Sequence, residues 1–121
     1  MGEPAPVDDP ALAVSLQALA DPTRRAVVAL LAHGPLRAGA LAAALDTTPP
    51  ALSRHLRVLR HTGLIGADDL DEDARVRLYR LRLESLAPLH DWLEELRGFW
   101  TDQLAAFKLH AESTSRDPDG R

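Results

Sequence analysis

The 121-residue sequence contains no cysteine. Disulfides, thiolate metal centres and thiol redox sensing are thereby excluded. Aromatic residues are scarce, with two Trp, two Phe and one Tyr. The core must therefore be built from Leu, Val and Ala, and Leu and Ala lean the chain toward helix. Apolar residues make up 45% of the sequence, enough for a real core, yet no apolar run approaches the roughly 20 residues that span a bilayer. The opening MGEPAPVDDP is acidic and proline-rich, unlike a signal peptide, so a cytoplasmic protein without membrane contact is expected. Lysine is nearly absent too, since all but one of the 14 basic residues are Arg. That suits bidentate contacts and is equally what a GC-rich genome encodes. No glycine-rich phosphate loop, paired-carboxylate pocket or Ser–His–acid arrangement stands out, so neither an enzyme nor a cofactor is expected.

The net charge of −4 argues against a protein that coats nucleic acid indiscriminately. Its distribution is uneven. Residues 47–67 carry three Arg, two His and no acid, whereas residues 68–73, DDLDED, carry five acids.

Asp9-Pro10 and Asp21-Pro22 each resemble an N-cap followed by proline at the first helical position. The first helix is expected to reach about Ala20 and the second to stop at Gly34. A short third helix, AGALAAAL, runs to Leu45. Thr48 is a good N-cap for a fourth, which Gly63 ends. In it Leu52, Leu56 and Leu59, with Val58 alongside, form a buried face. Pro50, Ser53, Arg54, Arg57 and Arg60 lie opposite. LIGA and ARVRLYRL read as two short strands around an acidic turn. A long last helix begins near Ser85 or Leu86. Leu89, Leu93, Leu96, Trp100, Leu104 and Phe107 stripe it, widened by Trp92 and Phe99, with more apolar surface than a small domain covers alone. One folded domain is expected over 9–111, between disordered segments 1–8 and 112–121. Its layout, mostly α with about five helices and a small β-hairpin, is that of a winged helix-turn-helix.

LADPTRRAVVALLAHGPL, LDTTPPALSRHLRVLRHTGLI and RVRLYRL together resemble the ArsR/SmtB family of winged-helix repressors, over about residues 12–107. SRHLRVLRHTGL is the most specific piece. WLEELRGFW resembles the branch with two tryptophans on the last helix. The resemblance implies a homodimer through the first and last helices, contributed by Leu12, Leu16, Leu89, Trp92, Leu93, Leu96, Trp100, Leu104 and Phe107. It also implies repression at an inverted-repeat DNA operator, and release by an effector such as a small molecule. Where founding members carry a Cys-Val-Cys metal-sensing run, this chain has Arg37, Ala38 and Gly39, so that mode is absent. The zinc pattern of other members is also missing. Twenty residues of helix, about 30 Å, separate His90-Asp91 from His110 and Glu112, which two protomers alone could bring together as a zinc-type site. Solvated helix ends are the expectation there, with no metal.

The resemblance places DNA contacts at Thr48, Pro49, Pro50, Ser53 and Arg54. Many members have Ser and Gln where Thr48 and Pro49 stand. Proline donates nothing, so base reading falls on Arg54 and Ser53, with Thr48 in reach. Arg57 and Arg60, further along, meet phosphate. His55 is expected half-buried and hydrogen-bonded to nearby backbone. The wing departs from the family's Gly- and Arg-rich turn. Either the acidic tip points away and Arg75 and Arg77 touch the DNA backbone, or the tip is regulatory. Arg24 and Arg25 have two readings, phosphate contact or pairing with Asp21 or Asp46. The rival function is a winged helix reused as a protein-interaction module.

Overall fold

The computed structural model describes residues 9–69 and 76–115. In order it forms α1 (Pro10–Ala18), α2 (Pro22–Leu31), β1 (Leu36–Arg37), α3 (Ala38–Ala44), α4 (Pro49–His61), β2 (Ile65–Asp69), β3 (Arg77–Leu81), a 3₁₀ turn (Leu83–Leu86) and α5 (Ala87–Ser115). This is a winged helix-turn-helix with five helices. The chain divides into two compact units, one ending at Leu89 and one running from His90 along α5.

The helix starts follow from their caps. The Asp9 carboxylate accepts the Ala11 N–H at 3.0 Å, with Pro10 opening α1. Asp21 accepts from Thr23 and Arg24 at 2.8 and 3.2 Å, with Pro22 opening α2. Thr48 Oγ1 accepts the Ala51 N–H at 3.3 Å ahead of α4. Each side chain satisfies amides that the first helical turn leaves orphaned. α1 and α2 end two and three residues short of expectation, at Ala18 and Leu31.

Two helix ends share one geometry. After α4, the Gly63 N–H donates to Arg60 O at 3.1 Å and the Leu64 N–H to Leu59 O at 3.0 Å. Gly63 takes the φ of 84° that this reversal requires. After α3, the Asp46 N–H donates to Ala43 O at 3.3 Å and the Thr47 N–H to Ala42 O at 2.9 Å. There a non-glycine residue, Asp46, holds φ at 55°. That tight reversal sets the α3–α4 angle of the helix-turn-helix.

The core of the first unit joins Val27 and Leu31 of α2, Leu41 and Ala42 of α3, and Leu52, Leu56 and Leu59 of α4 to Leu64, Ile65 and Tyr79. The three α4 leucines are the face expected from their spacing. Burying each contributes about 1.5–3 kcal/mol, which fixes α4's opposite face outward.

The sheet differs from a simple hairpin. It has three antiparallel strands in the order β1-β3-β2, because Leu36 and Arg37 pair with Tyr79 and Leu78. Asp68 and Asp69, expected in the turn, lie within β2 opposite Leu78 and Arg77. The rest of the acidic tip, residues 70–73, and Arg75 lie outside the described residues. So do residues 1–8 and 116–121, which hold most of the two expected disordered ends; α5 itself continues past 111, to Ser115.

Along α5, Leu93, Leu96, Phe99, Trp100, Leu104, Phe107 and Leu109 are exposed. Leu89 and Trp92 are half-buried. On α1, Val14 and Leu16 are exposed while Leu12 is 1% exposed. Leu12 is thus a buried residue of the single chain, which corrects its expected place on a dimer surface.

Candidate nucleic-acid interface

The outward face of α4 carries Pro49, Pro50, Ser53, Arg54, Arg57 and Arg60, all exposed, with the capping Thr48 exposed at its start. Arg54, Arg57 and Arg60 make no hydrogen bond or ion pair with any described residue. They follow a helix step of three, which gathers their guanidinium groups along one side.

The helix start is unusual in what it withholds. A helix N-terminus ordinarily presents free N–H groups that bind phosphate. Here Pro49 and Pro50 have no N–H, the Ala51 N–H is taken by Thr48 Oγ1, and the Leu52 N–H by Thr48 O at 3.1 Å. The first turn of α4 therefore offers side chains alone.

Other arginines are committed within the fold. Arg24 donates from Nε to Ala18 O at 2.6 Å and from Nη2 to Gln17 O at 3.3 Å. Arg25 Nη1 donates to Leu19 O at 2.8 Å and Ala20 O at 3.1 Å. Both cap the carbonyl end of α1, where cations are favoured. Arg24 also places its charge beside the Asp21 carboxylate, the pairing expected of it, while its hydrogen bonds, like those of Arg25, go to backbone carbonyls. His55 is half-buried as expected, but its Nδ1 faces side chains and not backbone: Arg24 Nη1 at 3.4 Å and Asp21 Oδ1 at 3.8 Å. Burial pushes the Asp21 carboxyl up; donation from the Arg24 and Thr23 amides, with the charges of His55 and Arg24, outweighs it and leaves the group below its usual value.

In the wing, Arg77 Nε donates to Asp69 Oδ1 at 2.7 Å and Arg80 Nε to Asp68 Oδ2 at 3.1 Å. Arg82 Nε donates to Glu84 Oε2 at 3.3 Å. Arg77, expected to touch DNA, is thus held by an acid on the neighbouring strand. Arg37, not among the expected contacts, is exposed at the start of α3 and has no partner among the described residues. It precedes the basic stretch in the sequence, so the charge pattern alone does not mark it.

On α5, His90 Nδ1 lies 3.4 Å from Asp91 Oδ1 and His90 Nε2 lies 3.9 Å from Glu94 Oε2. Among the described residues, no three His, Asp or Glu gather as a metal site within one chain. His110 and Glu112 sit on the same helix, near its other end. No described helix is long and apolar enough to cross a membrane.

A family model described as a helix-turn-helix domain matches residues 19–65, the segment from the end of α1 to the start of β2. The HTH-type transcriptional regulator Rv2034 of Mycobacterium tuberculosis is 42% identical over 102 residues, covering 84% of this chain and 89% of that one. A crystal structure of an ArsR family transcriptional regulator superposes with a TM-score of 0.63 at 34% identity, covering 76% of this chain and 92% of that one. The chain belongs to the ArsR family of transcriptional regulators. The biofilm growth-associated repressor of Agrobacterium fabrum is 37% identical, covering 64% of each chain. The homodimeric winged helix-turn-helix DNA-binding domain of Mb0332 from Mycobacterium bovis, a possible ArsR-family regulator, superposes with a TM-score of 0.57 at 26% identity, covering 78% of this chain and 84% of that one. As an ArsR-family regulator this chain lacks thiolates altogether.

Proposed function

We propose that the protein is a homodimeric repressor that reads an inverted-repeat operator with α4. The observation that carries this reading is the set of three exposed arginines on α4 that have no partner among the described residues, in an acidic chain whose Arg24, Arg25, Arg77, Arg80, Arg82 and Arg97 are engaged by other groups. Arg54, nearest the helix start, reads guanine in the major groove, with Ser53 and Thr48 supporting it. Pro49 and Pro50 give apolar contacts suited to a thymine methyl and a rigid helix entry. Arg57 and Arg60 meet phosphate, and Arg37 is added to them. Arg77 contributes only if it leaves Asp69; Arg75 keeps its expected phosphate role.

A second copy covers the exposed stripe of α5 together with Leu16 and Val14 of α1. A stripe of five exposed large apolar side chains on one helix, Leu93, Leu96, Trp100, Leu104 and Phe107, calls for a partner, and the homodimeric relative supports a second copy as that partner. Two-fold symmetry then places half-sites about 34–36 Å apart or a multiple of it. An effector releases the DNA. An open groove of about 680 Å³ lined by Val14, Gln17, Ala18, Arg24, Val58, His61 and Thr62 has the size of a small-molecule site.

Titrating the full chain onto duplex DNA at two salt concentrations tests the reading against that of a protein-interaction module. Phosphate neutralisation makes affinity fall steeply as salt rises. Binding that is absent or indifferent to salt contradicts it.

A further inference from the structure

The strand arginines and the α4 arginines are chemically identical and differently committed. Arg77 stands directly opposite Asp69 in the β2–β3 register, and Asp68 stands opposite Leu78, one diagonal step from Arg80. Both acids therefore reach their arginines without leaving the ladder, at 2.7 and 3.1 Å. We infer that Asp68 and Asp69 are built-in competitors for the phosphates that Arg80 and Arg77 would otherwise take, making the β2–β3 ribbon an electrostatic brake on DNA binding. The inference rests on the DNA-binding reading above.

The chemistry favours such competition. Carboxylate and phosphate present the same paired oxygen acceptors to a guanidinium fork. Asp69 and Asp68 are more than half exposed, at 58% and 51% of their side-chain surface. Solvent screens such pairs, so they hold weakly and exchange readily. A phosphate arriving at the ribbon must displace a carboxylate and then lie beside it, so each of these arginines adds little net attraction. The bond to Asp69, and after it one to Tyr79, holds the Arg77 guanidinium above its ordinary pKa, and at 2.7 Å against 3.1 Å the Arg77 contact is the shorter of the two. α4 carries no such acids, which leaves it as the cationic surface open to DNA at no exchange cost. Sequence discrimination then depends on α4, because the ribbon cannot supply indiscriminate affinity.

The test uses the full chain on a random-sequence duplex, followed by fluorescence anisotropy between about 50 and 200 mM salt. Three proteins are compared: the unaltered chain, Asp68→Asn with Asp69→Asn, and a control with Asp91→Asn and Asp102→Asn. The control removes the same charge from α5, outside the first unit. Circular dichroism confirms that each is folded. Freeing two arginines steepens the slope of log affinity against log salt by about 0.9 for each, and tightens binding about tenfold at the low-salt end. The control moves less than half as far. An unaltered chain that binds DNA, with a ribbon variant no steeper than it or matched by the control, overturns the brake and leaves the DNA-binding reading standing. A ribbon variant that binds where the unaltered chain does not supports the brake. If neither binds at the lowest salt, the brake and the DNA-binding reading fall together.

Discussion

Asp21 does two jobs at residue scale. It caps α2 through the Thr23 and Arg24 amides, and its charge lies beside Arg24 and His55. Its folded carboxyl lies below the ordinary value of 3.8 despite the opposing effect of burial. A group whose pKa falls on folding adds stability above its unfolded value and loses it as pH drops through the folded value. The contribution is therefore complete at neutral pH and disappears on the acid side of about pH 4. Asp21→Asn keeps the cap and removes the charge. Thermal melts from pH 2 to 7, as an order-of-magnitude window, should show the variant less stable near neutrality and the two proteins converging in acid; parallel curves would contradict the assignment. The sequence announced Asp21 as a cap because Asp-Pro before an apolar run is a local signal. For His55 it indicated half-burial but not the Arg24 and Asp21 side chains beside it, and for Arg24 and Arg25 it did not indicate the carbonyls at the end of α1, because those partners depend on where α2 meets α1 and α4. It was equally silent on the Asp69–Arg77 pair, which needs a strand register that no local pattern prints.

At the scale of elements, α4 was the most legible. Thr48, the leucine spacing and Gly63 each report a start, a buried face or an end, and all three agree. β1 was invisible because two residues carry no alternation. β2 is longer than adjacent aspartates suggest, because Asp69 meets Arg77 directly opposite and Asp68 meets Arg80 one diagonal step away. α5 was legible as an apolar stripe, and its exposed Leu96 and Trp100 are the place to test what covers it. Replacing both with polar residues should convert a dimer to monomers in sedimentation velocity and weaken operator binding at least tenfold, as expected when one half-site acts without the other. Since both side chains are exposed in the single chain, the variant should remain helical. A dimer of unchanged mass would contradict an α5 interface. Leu12 marks the limit of reading interfaces from spacing, since an apolar residue on a helix face is as easily core as surface.

For the whole molecule, the account is one of charge placement. An acidic chain discourages indiscriminate contact with DNA, and six of its described arginines are taken up by a helix end or by nearby acids. What is left over is concentrated on one face of α4, whose own amides are removed or capped. The family and the fold were readable from SRHLRVLRHTGL and its neighbours, but the distinction between committed and free arginines was not, because thirteen identical side chains differ only in what surrounds them. The measurement that bears most directly on this account is the affinity of the unaltered chain and of Arg54→Ala for a DNA site selected from genomic fragments and for a scrambled duplex at the same salt. The account predicts that Arg54→Ala loses about 1–3 kcal/mol of discrimination between the two while its affinity for the scrambled duplex changes by less than about threefold, the worth of one phosphate contact. An equal fall on both duplexes would mean that Arg54 meets phosphate and that the bases are read by something other than Arg54.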